Sequence, residues 1–280
     1  MRLHKIETGF FKLDGGAMFG VVPKQIWNKT NPADENNLCT WAMRCLLIED
    51  GNRLTLIDNG IGEKQDEKFL SHYHLHGDDS LIKSINKAGF SEKEITDMFL
   101  THLHFDHCGG GIKKAGEKPE LTFPNAVYWS NADHWEWATN PNSREKASFL
   151  KENILPMQES GHLKMIDPHS SQLSQVPFDI FYASGHTDRM MVPRIQYKGY
   201  TVCFVADLLA AVAHIPIPYV MGYDTRPLIT MAEKERFLNE AADKNYVLFF
   251  EHDPVNECAT VKRTEKGIRL DRTFKLSELE

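Results

Sequence analysis

The chain reads as an α/β fold, and three observations predict it. First, apolar, β-rich runs recur along the sequence, and several end directly at a histidine or an aspartate: Ile95 to Leu100 before His102, Phe178 to Gly185 before His186, Thr201 to Ala206 before Asp207, and Tyr246 to Glu251 before His252. Second, short glycine-containing turns separate pairs of such runs, as a hairpin requires. Third, segments between them carry apolar residues at helical spacing. With 280 residues, 41% of them hydrophobic, the chain has material for a substantial core, and 1–280 is expected to form a single domain.

Taken in order, Ile6 to Leu13 reads as a first strand. The segment Asp14-Gly15-Gly16-Ala17-Met18-Phe19-Gly20-Val21-Val22-Pro23 follows as a glycine-rich connector of unusual apolarity. Two readings stand beside each other: the segment packs under the sheet, or, since exposed apolar surface commonly serves a binding groove, Met18, Phe19, Val21 and Trp27 form a hydrophobic wall or lid for a substrate, the reading carried forward. Trp41 to Ile48 and Arg53 to Asp58 flank Asp50-Gly51-Asn52 as a hairpin. Asp79 to Ala88 carries Leu81, Ile82 and Ile85 at helical spacing, with Gly89 as its stop. Ser91 to Glu94 reads as a helical turn opened by a capping serine, leading into the strand Ile95 to Leu100. Asn125 to Ser130 is a further strand, and Ala132 to Thr139 and Arg144 to Leu155 read as helices. Trp129, Trp135 and Trp137 are expected in the core or a cleft wall. Val192 to Tyr197 and Tyr200 to Val205 pair across Lys198-Gly199, a helix runs from Thr230 to Lys244, and a last hairpin turns near Glu265-Lys266-Gly267.

The chemistry concentrates where the strand Ile95 to Leu100 ends, in Thr101-His102-Leu103-His104-Phe105-Asp106-His107-Cys108-Gly109-Gly110. On extended chain, residues two apart share a face, so His102 and His104 project together. Asp106 and His107 come where the chain bends, which aims them at a neighbouring spot, so two adjacent metal sites are the natural outcome. His186, Asp207 and His252 supply single ligands after their own strands. By contrast, His72-Tyr73-His74-Leu75-His76 alternates histidines in a polar connector with no strand before it, and without a fixed geometry it reads as a surface loop.

The net charge of −7 gives no electrostatic footprint for nucleic acid or for an anionic membrane. No stretch reaches the length of a membrane span, and the N-terminus lacks the pattern of a signal peptide. The odd number of cysteines, 5, without close pairing fits a reducing, cytoplasmic compartment. Cys108, beside His107, is expected to be a small packed residue rather than a ligand. The expected partner is a small-molecule substrate, and a homodimer is left open.

On these motifs the chain resembles the metallo-β-lactamase-fold hydrolases, closest in look to their lactonase and organophosphate-hydrolase-like branch. The resemblance implies a four-layer αββα sandwich with the metals in a cleft at one edge. It also implies that His102, His104 and His186 hold one metal, that Asp106, His107 and His252 hold the other, and that Asp207 bridges both. Ligands of this kind suit zinc first, with iron, manganese or cobalt as alternatives, so the expected cofactors are two divalent ions. Between them a bridging hydroxide would attack an ester, lactone or related bond, with Asp106 and Asp207 as the catalytic carboxylates.

The quorum-quenching lactonases that the chain resembles carry a tyrosine three residues after the bridging aspartate, where this chain has Ala210. They have Gly-His-Thr-Pro-Gly-His around the third metal histidine, whereas this chain reads Gly185-His186-Thr187-Asp188-Arg189. Tyr219 or Tyr223 in the following loop is the expected source of a phenol, with Tyr223 taken as a substrate residue. The alternatives are a glyoxalase II-like thioesterase and a di-iron redox protein on the same fold. The first lacks its basic helical extension here. The second would replace His104 by glutamate and append a flavin domain.

Overall fold

The computed structural model describes residues 1–116, 118–167 and 175–279. Those residues are a mixed α/β structure that divides into two compact units, Met1–Gly9 with Met43–Gln175, and Phe10–Ala42 with Val176–Glu280. The boundaries at residues 9 and 42 fall inside two long strands, β1 (Arg2–Asp14) and β2 (Leu38–Asp50).

The first unit is built on β2, β3 (Arg53–Ile57), β4 (Asp97–Phe99), β7 (Val127–Asn131) and β8 (Leu163–Ile166), in the sheet order β1-β2-β3-β4-β7-β8. The hairpin β2/β3 is antiparallel, with Asp50 opposite Arg53, as Asp50-Gly51-Asn52 predicts. From β3 onward the strands pair in parallel, and parallel strands are buried on both faces. That explains why β4 is all apolar but for Asp97, whose carboxylate is held by Arg53 at 2.7 Å and by the indole N–H of Trp129 at 2.7 Å.

Helices α3 (Glu67–Ser71), α4 (Leu81–Lys87), α6 (Ala132–Thr139) and α7 (Lys151–Glu159) complete this unit, with the short hairpin β5 (Ile112–Ala115) and β6 (Lys118–Leu121). Leu47, Leu56, Met98, Leu100, Tyr128, Phe149 and Met157 form its core; each fully buried large apolar side chain contributes about 1.5–3 kcal/mol. Trp129 and Trp135 are buried and Trp137 packs against the core. The helix expected over Arg144 to Leu155 is displaced. The Asn142 side chain accepts the backbone N–H groups of Arg144 and Glu145, which holds a turn there, and α7 starts only at Lys151.

The second unit has the sheet order β14-β13-β12-β11-β10-β9, with β9 (Asp179–Ala183), β10 (Met190–Tyr197), β11 (Tyr200–Phe204), β12 (Val247–Phe249), β13 (Cys258–Thr264) and β14 (Gly267–Phe274). Both expected hairpins form: Tyr197 opposes Tyr200, and Thr264 opposes Gly267. Helix α8 (Pro227–Lys244) opens on a proline, whose missing N–H costs nothing in a first turn, and ends at left-handed Asn245. Its Phe237 meets Phe181 of β9 at 5.3 Å. The expected connector after β1 is instead helical, α1 (Gly15–Phe19) and α2 (Lys24–Trp27), because the Asp14 carboxylate caps Ala17 N–H at 2.7 Å.

Candidate metal centre

In the first unit β4 delivers the histidine motif, as its sequence predicts. His104 stands just before α5 (Phe105–Cys108), which puts Asp106 and His107 in a single helical turn, and the side chains of His102, His104, Asp106 and His107 are all buried. The glycines that follow are a packing requirement: a Cβ on Gly109 would lie 2.1 Å from Ile61 O, and one on Gly110 2.2 Å from Asn59 O. Only bare backbone lets the turn approach the loop after β3 this closely.

Each imidazole of the motif has one ring nitrogen committed to a protein acceptor. His107 Nδ1 donates to Asp58 Oδ2 at 3.1 Å, and Thr101 Oγ1, which donates to that same oxygen at 2.6 Å, accepts from His102 Nδ1 at 3.1 Å. His104 Nε2 donates to Glu145 Oε1 at 3.3 Å. On their other sides, His102 Nε2 and His104 Nδ1 converge to 3.1 Å. Two imidazole nitrogens brought together at that distance suit a shared cation.

In the second unit Asp207 stands between two histidines: His186 Nε2 lies 3.0 Å from Oδ2, and His252 Nε2 lies 3.1 Å from Oδ1. Here too Nδ1 is committed. That of His186 donates to Asp224 Oδ1 at 2.9 Å, and that of His252 to the carbonyl of Ala42 at 2.8 Å. Burial works against a charge on His186, yet the carboxylates of Asp207 and Asp224 outweigh it and raise the imidazole to about 10. Ala206, just before Asp207, has a left-handed φ of 43°, a strained conformation for a residue with a Cβ of the kind that clusters at functional sites.

Asp58, Glu145 and Asp224, the carboxylates that orient the histidines, were not among the residues singled out in the sequence. Asp58 shared the signal of the others, a polar residue at the end of an apolar strand. Glu145 and Asp224 come from irregular segments and had none. His134 also escaped notice: its Nε2 accepts the N–H of Leu103 at 2.9 Å and so holds the motif from behind.

The expected substrate wall requires correction. Met18 is 1% exposed, Phe19 0% and Trp27 2%. Phe19 is stacked between Trp27, 5.3 Å away, and His214, 4.7 Å away, while His214 Nε2 donates to Met18 O at 2.9 Å. Once the segment folds into α1 and α2, these side chains become core and face no solvent. Val21, 91% exposed, and Tyr223, 40% exposed, remain on the surface. The His72, His74 and His76 side chains are exposed, as a surface loop requires. Among the described residues no helix is long and apolar enough to cross a membrane.

Known proteins share this fold. The N-acyl homoserine lactonases of Bacillus thuringiensis are 22% identical over 232 residues, which covers 78% of this chain and 82% of theirs. A probable metal-dependent hydrolase from Staphylococcus aureus superposes with a TM-score of 0.86 at 28% identity, covering 98% of this chain and 96% of the other. AidC, a dizinc quorum-quenching lactonase solved with its product N-hexanoyl-L-homoserine, superposes with a TM-score of 0.77 at 25% identity over 98% and 95% of the two chains. The profile of the metallo-β-lactamase superfamily matches residues 44–252, from β2 to the last histidine of the set, and the chain belongs to that superfamily.

Proposed function

We propose that the chain is a metal-dependent hydrolase that works as one domain over 1–280 and holds two divalent ions, with zinc as the native metal. His102, His104 and His186 bind one ion, Asp106, His107 and His252 the other, and Asp207 bridges them. The observation that carries this reading is that a hydrogen bond on one ring nitrogen of every one of these buried imidazoles orients the ring, as such bonds do for metal-ligating histidines. The buried histidines and carboxylates are of the kind and grouping that holds divalent ions.

When bound, such ions supply acidity that makes water nucleophilic near neutral pH, and a positive contact for the substrate's electrophilic group. The chain's own residues orient and exclude. Asp106 accepts and returns the proton moved in the reaction, and Asp58, Glu145 and Asp224 keep the imidazoles aimed. Cys108 takes no part as a nucleophile, since burial pushes its thiol up to about 12 and Sγ donates to Leu103 O at 3.3 Å. Similarity to the lactonases supports an ester, a lactone or a related bond in a small, partly hydrophobic molecule as the substrate.

The test starts from protein purified without added metal. Bound metal is quantified, and an ester, lactone, thioester and phosphoester panel is run before and after chelation. Chelation abolishes turnover, Asp207→Ala loses the second ion and most activity together, and Cys108→Ser retains substantial activity. Asp207→Ala protein with two tightly held ions and full turnover would overturn the assignment.

A further inference from the structure

Tyr73 follows α3, and its N–H donates to Leu70 O at 3.0 Å. Its ring packs on Phe69 at 5.1 Å and on Phe105 at 4.7 Å, and Phe69 meets Phe105 edge-on at 5.5 Å. Phe105 is the residue between His104 and Asp106, and its N–H is tied to Ser148 O at 2.9 Å. The three rings therefore fasten Tyr73 to the histidine motif itself. Tyr73 is half-buried, and no described residue makes a hydrogen bond to its hydroxyl. Burial first, and then the charge of the Asp106 carboxylate, push the phenol up to about 12. The O–H thus stays a neutral donor across the physiological range.

A phenol whose ring is packed on Phe105, the chain neighbour of Asp106, partly desolvated and with no acceptor among the described residues, has its donor capacity available for something else. We propose that Tyr73 contacts the substrate, donating a hydrogen bond to a substrate oxygen that carries or develops negative charge next to Asp106. Desolvated donors aimed at such an oxygen discriminate strongly between its charged and neutral forms. This deepens the hydrolase reading and rests on it for the nature of that oxygen: the carboxylate of an acid product, or the leaving oxygen of an ester or lactone.

Tyr73→Phe keeps the ring stack and deletes only the donor. Zinc-loaded wild-type and variant proteins are compared for hexanoate affinity by calorimetry, for metal content, for melting temperature, and for hydrolysis of δ-valerolactone and 4-nitrophenyl butyrate. Hexanoate affinity should fall about 10-fold or more with metal content and melting unchanged. The lactone, whose alkoxide leaves poorly, should lose more kcat/KM than the nitrophenyl ester. Equal hexanoate affinity in the two proteins, including no measurable binding to either, overturns the proposal. So does a fall in metal content or melting temperature that accompanies the loss of affinity, because it assigns Tyr73 a structural role. Wild-type protein that binds hexanoate in a Tyr73-dependent way but cleaves no member of the panel refutes the hydrolase reading and leaves the Tyr73 contact standing.

Discussion

A metal-ligating histidine is oriented by the hydrogen bond on its other nitrogen, so in the proposed centre the carboxylates behind the histidines would carry as much of the design as the ligands. Asp224 is buried, and its Oδ2 also accepts Met221 N–H at 3.2 Å, so it arrives at His186 already oriented. Asp224→Ala lets the His186 ring turn and removes the partner that raises its basicity. Zinc affinity should fall about 10- to 100-fold, read by competition with a chromogenic chelator; unchanged affinity would show that Asp207 alone orients the ring. Phe19 belongs to the same scale with the opposite role. Its burial in an aromatic stack means that Phe19→Ala should cost roughly 3–5 kcal/mol of stability, measured as a shift in denaturant midpoint. Short-chain and long-chain substrates should then keep their kcat/KM ratio. A loss confined to long chains would return Phe19 to the substrate wall that the sequence suggested.

Among the elements, the segment Val212–His214, one turn of 3-10 helix, joins α1 through the His214 bond to Met18. Burial holds this imidazole down to about 4, against a donor bond to a carbonyl that favours its charged form. The native protein therefore keeps His214 neutral in a range where the unfolded chain, at about 6.5, takes up a proton. With more protons bound by the unfolded state, stability falls as pH drops from about 6.5 towards 4 and is recovered above that window. Melting temperature followed over pH 4–7 should show a shallower decline in His214→Gln, which retains a donor for Met18 O; parallel declines would place the acid sensitivity elsewhere.

Much of the element pattern was legible because strand, turn and ligand follow one another locally: each predicted ligand sits where an apolar run gives out, and the hairpins announce themselves in Asp50-Gly51-Asn52 and Lys198-Gly199. What local pattern misread was decided by single side chains. Asp14 turns a glycine-rich connector into a helix, and Asn142 holds a bend that moves the start of α7 from Arg144 to Lys151. What it left unread, Glu145 and Asp224, meets its histidine from residues 41 and 38 positions away, a separation that leaves no periodic trace.

For the molecule as a whole, metal binding and folding are linked. An ion that binds only the folded chain stabilises it by mass action, about 2.7 kcal/mol at a free concentration 100 times Kd. Protein cleared of metal should melt at a lower temperature than the same protein with excess zinc, and the difference should shrink in Asp224→Ala. Identical melting curves with and without zinc would mean that no ion is held by the native state.

His186, pinched between Asp207 and Asp224, has a further meaning for the history of each molecule. With its imidazole near 10, the chain arrives at neutral pH with a proton held on His186 between the two carboxylates. On the two-ion reading, loading would be an exchange, proton out and cation in, with the same two carboxylates satisfied before and after. On that reading acid should favour the proton and alkali the ion, and the metal-free fold would carry a neutralised pair rather than a bare negative charge in its core.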